Sequence, residues 1–191
     1  MPPLPICSSP DPSQVYRPAE DSYLLLKAAS DEIRPGDRVL EVGTGSGFIL
    51  SRLPPCEHKV GTDINPHAAV LSHRAGIAVV RTDLAAGLRQ VFDLILFNAP
   101  YLPTTPGERI DDWLEYALDG GEDGRRVISR FFSEVSGLLS AEGRILLLIS
   151  SLTGVDETRD LARATGWEMQ VVAQEAVDGG EVLIVCRLTR L

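Results

Sequence analysis

Cysteine is scarce in this 191-residue chain: Cys7, Cys56 and Cys186 are odd in number and widely spaced. That argues against a disulfide framework and against the paired spacing of a zinc site, so no metal ligands are expected. No run of eighteen apolar residues occurs, so no membrane-spanning helix is expected. The start, Met1-Pro-Pro-Leu-Pro-Ile-Cys7, lacks the basic flank and apolar core of a signal peptide. A cytoplasmic location is the default expectation. Lysine is almost missing. Lys27 and Lys59 stand alone, and arginine supplies the rest of 18 basic residues against 27 acidic ones. The bias reads either as genome composition or as adaptation to salt. A net charge of −9 weighs against a nucleic-acid partner, because phosphate backbones call for a basic surface.

What is present suits one globular domain. Residues 1–14 are rich in Pro and Ser and are expected to form an extended arm, with 15–191 as a single domain. A helix opens near Pro18, with Glu20 and Asp21 at its positive end. Short apolar strands then alternate with helices. Val39–Val42, Lys59–Asp63, Ile77–Thr82, Phe92–Phe97 and Gly143–Ile149 read as strands. Helices follow Gly47, Pro66, Arg125 and Asp156. Two further strands flank Asp178-Gly-Gly180, a hairpin signal. Strand–helix alternation ending in a hairpin predicts an α/β fold: a doubly wound, mostly parallel seven-stranded sheet with one antiparallel strand.

Four strand ends concentrate the chemistry, where open α/β sheets bind ligands. Glu41-Val-Gly43-Thr44-Gly45-Ser-Gly47 joins a strand to a helix, and its glycines permit positive φ and close ligand approach. Asp63 ends the next strand, 22 residues after Glu41, where an acid can hold ribose hydroxyls. Asp83 ends the third and can accept from an adenine amino group. Glu41 is suited to an ammonium. Three acids without a lysine oppose a phosphate ligand and as a set fit S-adenosylmethionine, although each acid alone reads better as a solvated carboxylate. The fourth strand runs into Asn98-Ala99-Pro100-Tyr101. A planar amino group needs in-plane acceptors, and the Asn98 side-chain oxygen and the Ala99 carbonyl supply them. Tyr101 offers a flat face.

Val39-Leu-Glu-Val-Gly-Thr-Gly-Ser-Gly47 resembles motif I of class I S-adenosylmethionine methyltransferases. Asn98-Ala-Pro-Tyr101 resembles the Asn-Pro-Pro-Tyr motif of enzymes that methylate planar nitrogens. With Val15-Tyr-Arg-Pro-Ala-Glu-Asp-Ser-Tyr-Leu-Leu-Leu26 and Leu118-Asp-Gly-Gly-Glu-Asp-Gly-Arg-Arg-Val127, the chain resembles the HemK-like glutamine methyltransferases, in their short archaeal and eukaryotic branch. The resemblance spans about residues 14–190. It implies that Tyr16, Pro18, Glu20, Asp21, Ile64 and Leu84 join the cofactor site, together with Asn98. It implies a substrate, the Gly-Gly-Gln glutamine of a class 1 peptide release factor. It also implies a heterodimer with a small zinc-binding activator. In this fold the third strand is a sheet edge, so Ile77–Val80 is either a docking strand for that activator or an edge guarded by a loop. Ala99 stands where the family usually has proline; the backbone carbonyl is kept and the fixed φ is lost.

Residues 108–123 carry seven acids and one arginine, a net of −6. Such a loop attracts a basic polypeptide or is simply solvated. Trp113 and Tyr116 read as substrate-entrance residues or as anchors of the loop. Three other readings stay open: adenine-N6 methylation of nucleic acid, which the charge opposes, lysine methylation of a protein, and a non-catalytic binding module.

Overall fold

The strand Phe92-Asp-Leu-Ile-Leu-Phe-Asn98 lies at the centre of the sheet, and its composition explains why. In the computed structural model, which describes residues 9–105, 107 and 112–191, Leu94, Ile95, Leu96 and Phe97 are all buried. Alternate residues of a strand face opposite sides of the sheet. Leu94 and Leu96 join one apolar layer with Leu24, Leu25 and Ile49. Ile95 and Phe97 join the other with Ile128, Phe131 and Trp167. Each such side chain contributes about 1.5–3 kcal/mol relative to exposure.

The elements run α1 (Glu20–Glu32), β1 (Arg38–Val42), α2 (Phe48–Arg52), β2 (His58–Asp63), α3 (Pro66–Arg74), β3 (Ala78–Arg81) and β4 (Phe92–Asn98). They continue with α4 (Arg126–Val135), β5 (Leu139–Ser150), α5 (Val155–Ala164), β6 (Trp167–Ala176) and β7 (Val182–Arg190). The sheet order is β3-β2-β1-β4-β5-β7-β6. All pairings are parallel except those of β7 with β5 and with β6. This is the expected seven-stranded sheet with one antiparallel strand, and β3 is an edge.

The chain winds outward from β1 to β3 and then returns to β4 on the other side of β1. The switch point therefore falls between β1 and β4, where open sheets form their ligand crevice. Val42 pairs with Phe97 there, so the glycine turn and the Asn98 turn leave the sheet side by side.

Only part of the expected arm lies within the described residues. Pro12–Gln14 form a 3-10 turn capped by Asp11 rather than extended chain. The Asp11 N–H donates to His67 Nδ1 (2.9 Å), and Asn65 Nδ2 donates to the Gln14 carbonyl (2.8 Å). These bonds fix the segment before α1 against α3. At the opposite end of the sheet, buried Arg144 pairs with Asp37 (2.8 Å) and Glu32 (3.5 Å). No helix among the described residues is long and apolar enough to cross a membrane.

Candidate active site

A cavity of about 420 Å³ opens at the carboxyl ends of the central strands. Its floor is the glycine turn. Gly43 and Gly45 take positive φ (67° and 56°), and a Cβ on Gly45 would meet nothing within 4 Å. The Gly45 N–H donates to Asp63 Oδ2 (2.8 Å). Asp63 also accepts from the Asn65 N–H through Oδ1 (2.8 Å). Burial pushes its carboxyl above the usual range despite these bonds.

Glu41 is buried at the end of β1, where its Oε2 accepts from Thr44 Oγ1 (2.8 Å). Burial dominates and pushes its pKa up to about 8. A carboxylate in this setting favours a cation nearby. Asp83 lies on the rim, half-exposed, with Oδ2 bound by Arg130 (2.8 Å). Ile64 and Leu84 form apolar parts of the wall. Leu84 is the non-glycine residue held at positive φ (48°) among the described residues. Such a conformation costs roughly 1–3 kcal/mol and clusters at functional sites. Sequence pattern gave no signal for it beyond its place after Asp83.

The cavity thus gathers Tyr16, Pro18, Asp21, Glu41, Gly43, Thr44, Gly45, Asp63, Ile64, Asp83, Leu84 and the whole turn Asn98–Tyr101. Two expected residues stand outside its lining. Glu20 is exposed in the first turn of α1. Gly47 has its own reason to be glycine: a Cβ would lie 2.9 Å from Ser72 Oγ and 3.3 Å from Ile77. Its missing side chain leaves room for Ser72 of α3 at the start of α2.

The turn after β4 is held from both sides. Asn98 Nδ2 donates to Asp21 Oδ2 (2.9 Å). Asn98 Oδ1 is buried without a hydrogen-bond partner among the described residues. Asn98 lines the cavity, so a donor group entering there would satisfy this acceptor. Ala99 packs into the core beside Phe97. The hydroxyls of Tyr16 and Tyr101 are pushed well above the usual tyrosine range, by burial first and by the Asp21 carboxylate next. Both remain neutral donors.

The segment 118–127 packs behind this turn. A Cβ on Gly120 would lie 2.8 Å from the Pro100 carbonyl oxygen. The Gly120 N–H donates to the Leu102 carbonyl (3.0 Å). Buried Asp119 pairs with Arg126 (2.8 Å) and accepts from the Gly121 N–H (2.8 Å). The acids of this loop are therefore not all free charges, since Asp123 also pairs with Arg125 (3.0 Å). Glu108, Arg109 and Asp111 lie outside the described residues. Trp113 and Tyr116 line the cavity and stack on each other with centroids 5.2 Å apart. Tyr116 is exposed, so these aromatics flank the opening rather than anchor the core.

No family model matches the chain. Among known proteins, it is 39% identical over 180 residues to a Methanocaldococcus jannaschii protein named as a protein N5-glutamine methyltransferase, covering 90% of each. It is 36% identical to human methyltransferase HEMK2, covering 93% of this chain and 91% of HEMK2. Among solved structures, it superposes on a chain of the Encephalitozoon cuniculi Mtq2–Trm112 complex, described as responsible for methylating the termination factor eRF1. That match has a TM-score of 0.77 and 30% identity, and covers 93% of this chain and 99% of the other.

Proposed function

The chain belongs to the HemK-like family of protein N5-glutamine methyltransferases, and from that premise we propose that it methylates the Gly-Gly-Gln glutamine of a class 1 peptide release factor, of the archaeal and eukaryotic type, in the cytoplasm. The observation that carries this reading is Asn98 Oδ1, a buried acceptor without a partner at the mouth of β4. A primary amide presents two coplanar N–H groups. One suits Asn98 Oδ1, and the other suits the backbone carbonyl of the next residue, Ala99.

S-adenosylmethionine, when bound, supplies an electrophilic sulfonium methyl. The residues on the cavity fit such a ligand. Glu41 would take its ammonium, Asp63 the ribose hydroxyls and Asp83 the adenine amino group. Gly43, Thr44 and Gly45 would let it approach the backbone, with Ile64 and Leu84 as apolar walls and Tyr16 and Pro18 closing the side of α1. An amide nitrogen is a poor nucleophile because its lone pair is delocalised into the carbonyl. The chain's contribution is alignment. Asn98 and Ala99 orient the nitrogen, Pro100 stiffens the turn, and Tyr101 packs on the amide plane. An N-methylated amide that still carries its extra proton is strongly acidic, and we assign no side chain as base.

We infer a heterodimer with a small zinc-binding activator that adds a strand to the β3 edge. Supporting this, β3 is short and has no strand on its outer side among the described residues, and Val80 is 42% exposed. Mass spectrometry of a co-expressed release factor, with and without the activator, tests both ideas. A gain of one methyl group on the Gly-Gly-Gln glutamine is the expected result. Its absence in both cases, with S-adenosylmethionine still bound, would overturn the substrate and turn attention to an adenine or lysine acceptor.

A further inference from the structure

Asp21 was expected among the cofactor ligands, yet both of its carboxylate oxygens are already committed to donors of the protein. Oδ1 accepts from the backbone N–H and, at 3.1 Å, the hydroxyl of Ser22. Oδ2 accepts from Asn98 Nδ2 at 2.9 Å, across 77 residues of sequence. The residue is 4% exposed, and no basic side chain pairs with it among the described residues. Its position in the first turn of α1 offsets part of the cost of burying the charge, because the helix end is positive.

An asparagine amide can be turned over at almost no steric cost, and turning it over exchanges an acceptor for a donor. A site that must accept from a substrate N–H therefore needs something to forbid the flipped form. A carboxylate oxygen does so, since it can only accept. We propose that Asp21 is a positioning residue that locks the Asn98 amide, so that Nδ2 faces Asp21 and Oδ1 faces the substrate nitrogen. The inference rests on the amide-methylating reading given above. It assigns the acid of the Glu20-Asp21 pair to the acceptor side of the reaction rather than to the cofactor.

The isosteric change Asp21→Asn gives the sharpest test. Position 21 would keep an oxygen toward the Ser22 N–H and turn an amino group toward Asn98. Asn98 would then flip and present a donor to the substrate. Asp21→Ala only frees the amide to adopt either form. A packing or capping role predicts the reverse order of damage, because asparagine conserves shape and polarity. In the exchanged pair Asp21→Asn/Asn98→Asp, the amide at 21 donates to one oxygen of the carboxylate at 98. The other oxygen is left as an acceptor for the substrate, with total charge unchanged.

Kinetics would be measured on the activator complex with release factor, and cofactor affinity by calorimetry with S-adenosylhomocysteine. We expect Asp21→Asn to lower kcat about 100-fold, with KM and cofactor Kd within about twofold. Asp21→Ala should be no worse, and the exchanged pair should recover about tenfold over the single variant. Near-normal kcat in Asp21→Asn, or no recovery in the pair, overturns the lock. A second readout does not depend on the substrate. By NMR, the Asn98 side-chain amide protons should be protected from exchange and close to Ser22 in the wild type, and lose both properties in Asp21→Ala. Unprotected protons in the wild type would refute the lock. A wild type that is inert on release factor but shows the protected amide would refute only the substrate.

Discussion

Gly124 lies so close to Tyr101 that a Cβ on it would stand 2.4 Å from the Tyr101 carbonyl oxygen. The Asp119–Arg126 turn thus abuts the backbone that carries the acceptor groups. Gly124 also has φ of 72°. Gly124→Ala should cost about 1–2 kcal/mol from its backbone alone and should push the turn after β4 out of place. The expected outcome is a kcat loss of about tenfold or more with cofactor affinity nearly intact, since misplacement of the reacting groups is costly. Calorimetry and single-turnover methylation separate the two effects.

Asn98→Ala removes the unpaired acceptor itself. Turnover should fall by about 100- to 1,000-fold, the scale seen when one stabilising contact to a reacting group is deleted. S-adenosylhomocysteine should bind within about threefold of wild type. Equal loss of both would mean that Asn98 shapes the cavity rather than the reaction.

Glu41 predicts opposite pH trends for stability and for binding. Its folded pKa is raised from 4.5 to about 8. Stability from this group is therefore fully present below about pH 4.5 and is lost as pH rises through 8. Glu41→Gln should melt higher than wild type at alkaline pH, with the gap closing in acid. Cofactor affinity should behave the other way. From about pH 6 to 7.5 the wild type should bind S-adenosylhomocysteine more tightly as Glu41 ionises beside the ligand ammonium. Glu41→Gln should bind weakly and without that slope. Calorimetric titrations across this range check both curves.

Arg144 serves the fold and not the site. It is 5% exposed and meets Asp37, Glu32 and the Asp93 carbonyl at the far end of the sheet. Arg144→Ala would strand the Asp37 carboxylate and should cost about 3–5 kcal/mol. Urea unfolding should report that loss, while kcat of the remaining folded protein stays at the wild-type level.

Val80 lies on the edge strand β3 and is 42% exposed. Val80→Asp puts a charge where a partner strand would dock. It should abolish co-purification with the activator and leave cofactor binding of the isolated chain unchanged. Retained complex formation would move the interface elsewhere.

Several features were legible because their causes are local. Leu94-Ile-Leu-Phe97 announces a strand buried on both faces, and Asp178-Gly-Gly180 announces the β6–β7 hairpin. The run from Glu41 to Gly45 marks a turn open to a ligand. Other assignments shifted once distant segments met. Gly47 looked like part of the ligand turn, yet its missing side chain makes room for Ser72 on α3. Glu20 and Asp21 looked alike as helix-start acids. The path of α1 leaves one exposed and carries the other to Asn98.

The sequence by itself determined the alternation of elements, the four polar strand ends and the residue types suited to a planar nitrogen, because these depend on side-chain chemistry and short-range periodicity. Only the tertiary structure decided which acid of the Glu20–Asp21 pair reaches the cavity and Asn98, and that Gly47 makes room for Ser72. Those outcomes rest on approaches of a few ångströms between segments far apart in the chain. They are fixed by how helices seat on a twisted sheet, and no local pattern encodes them.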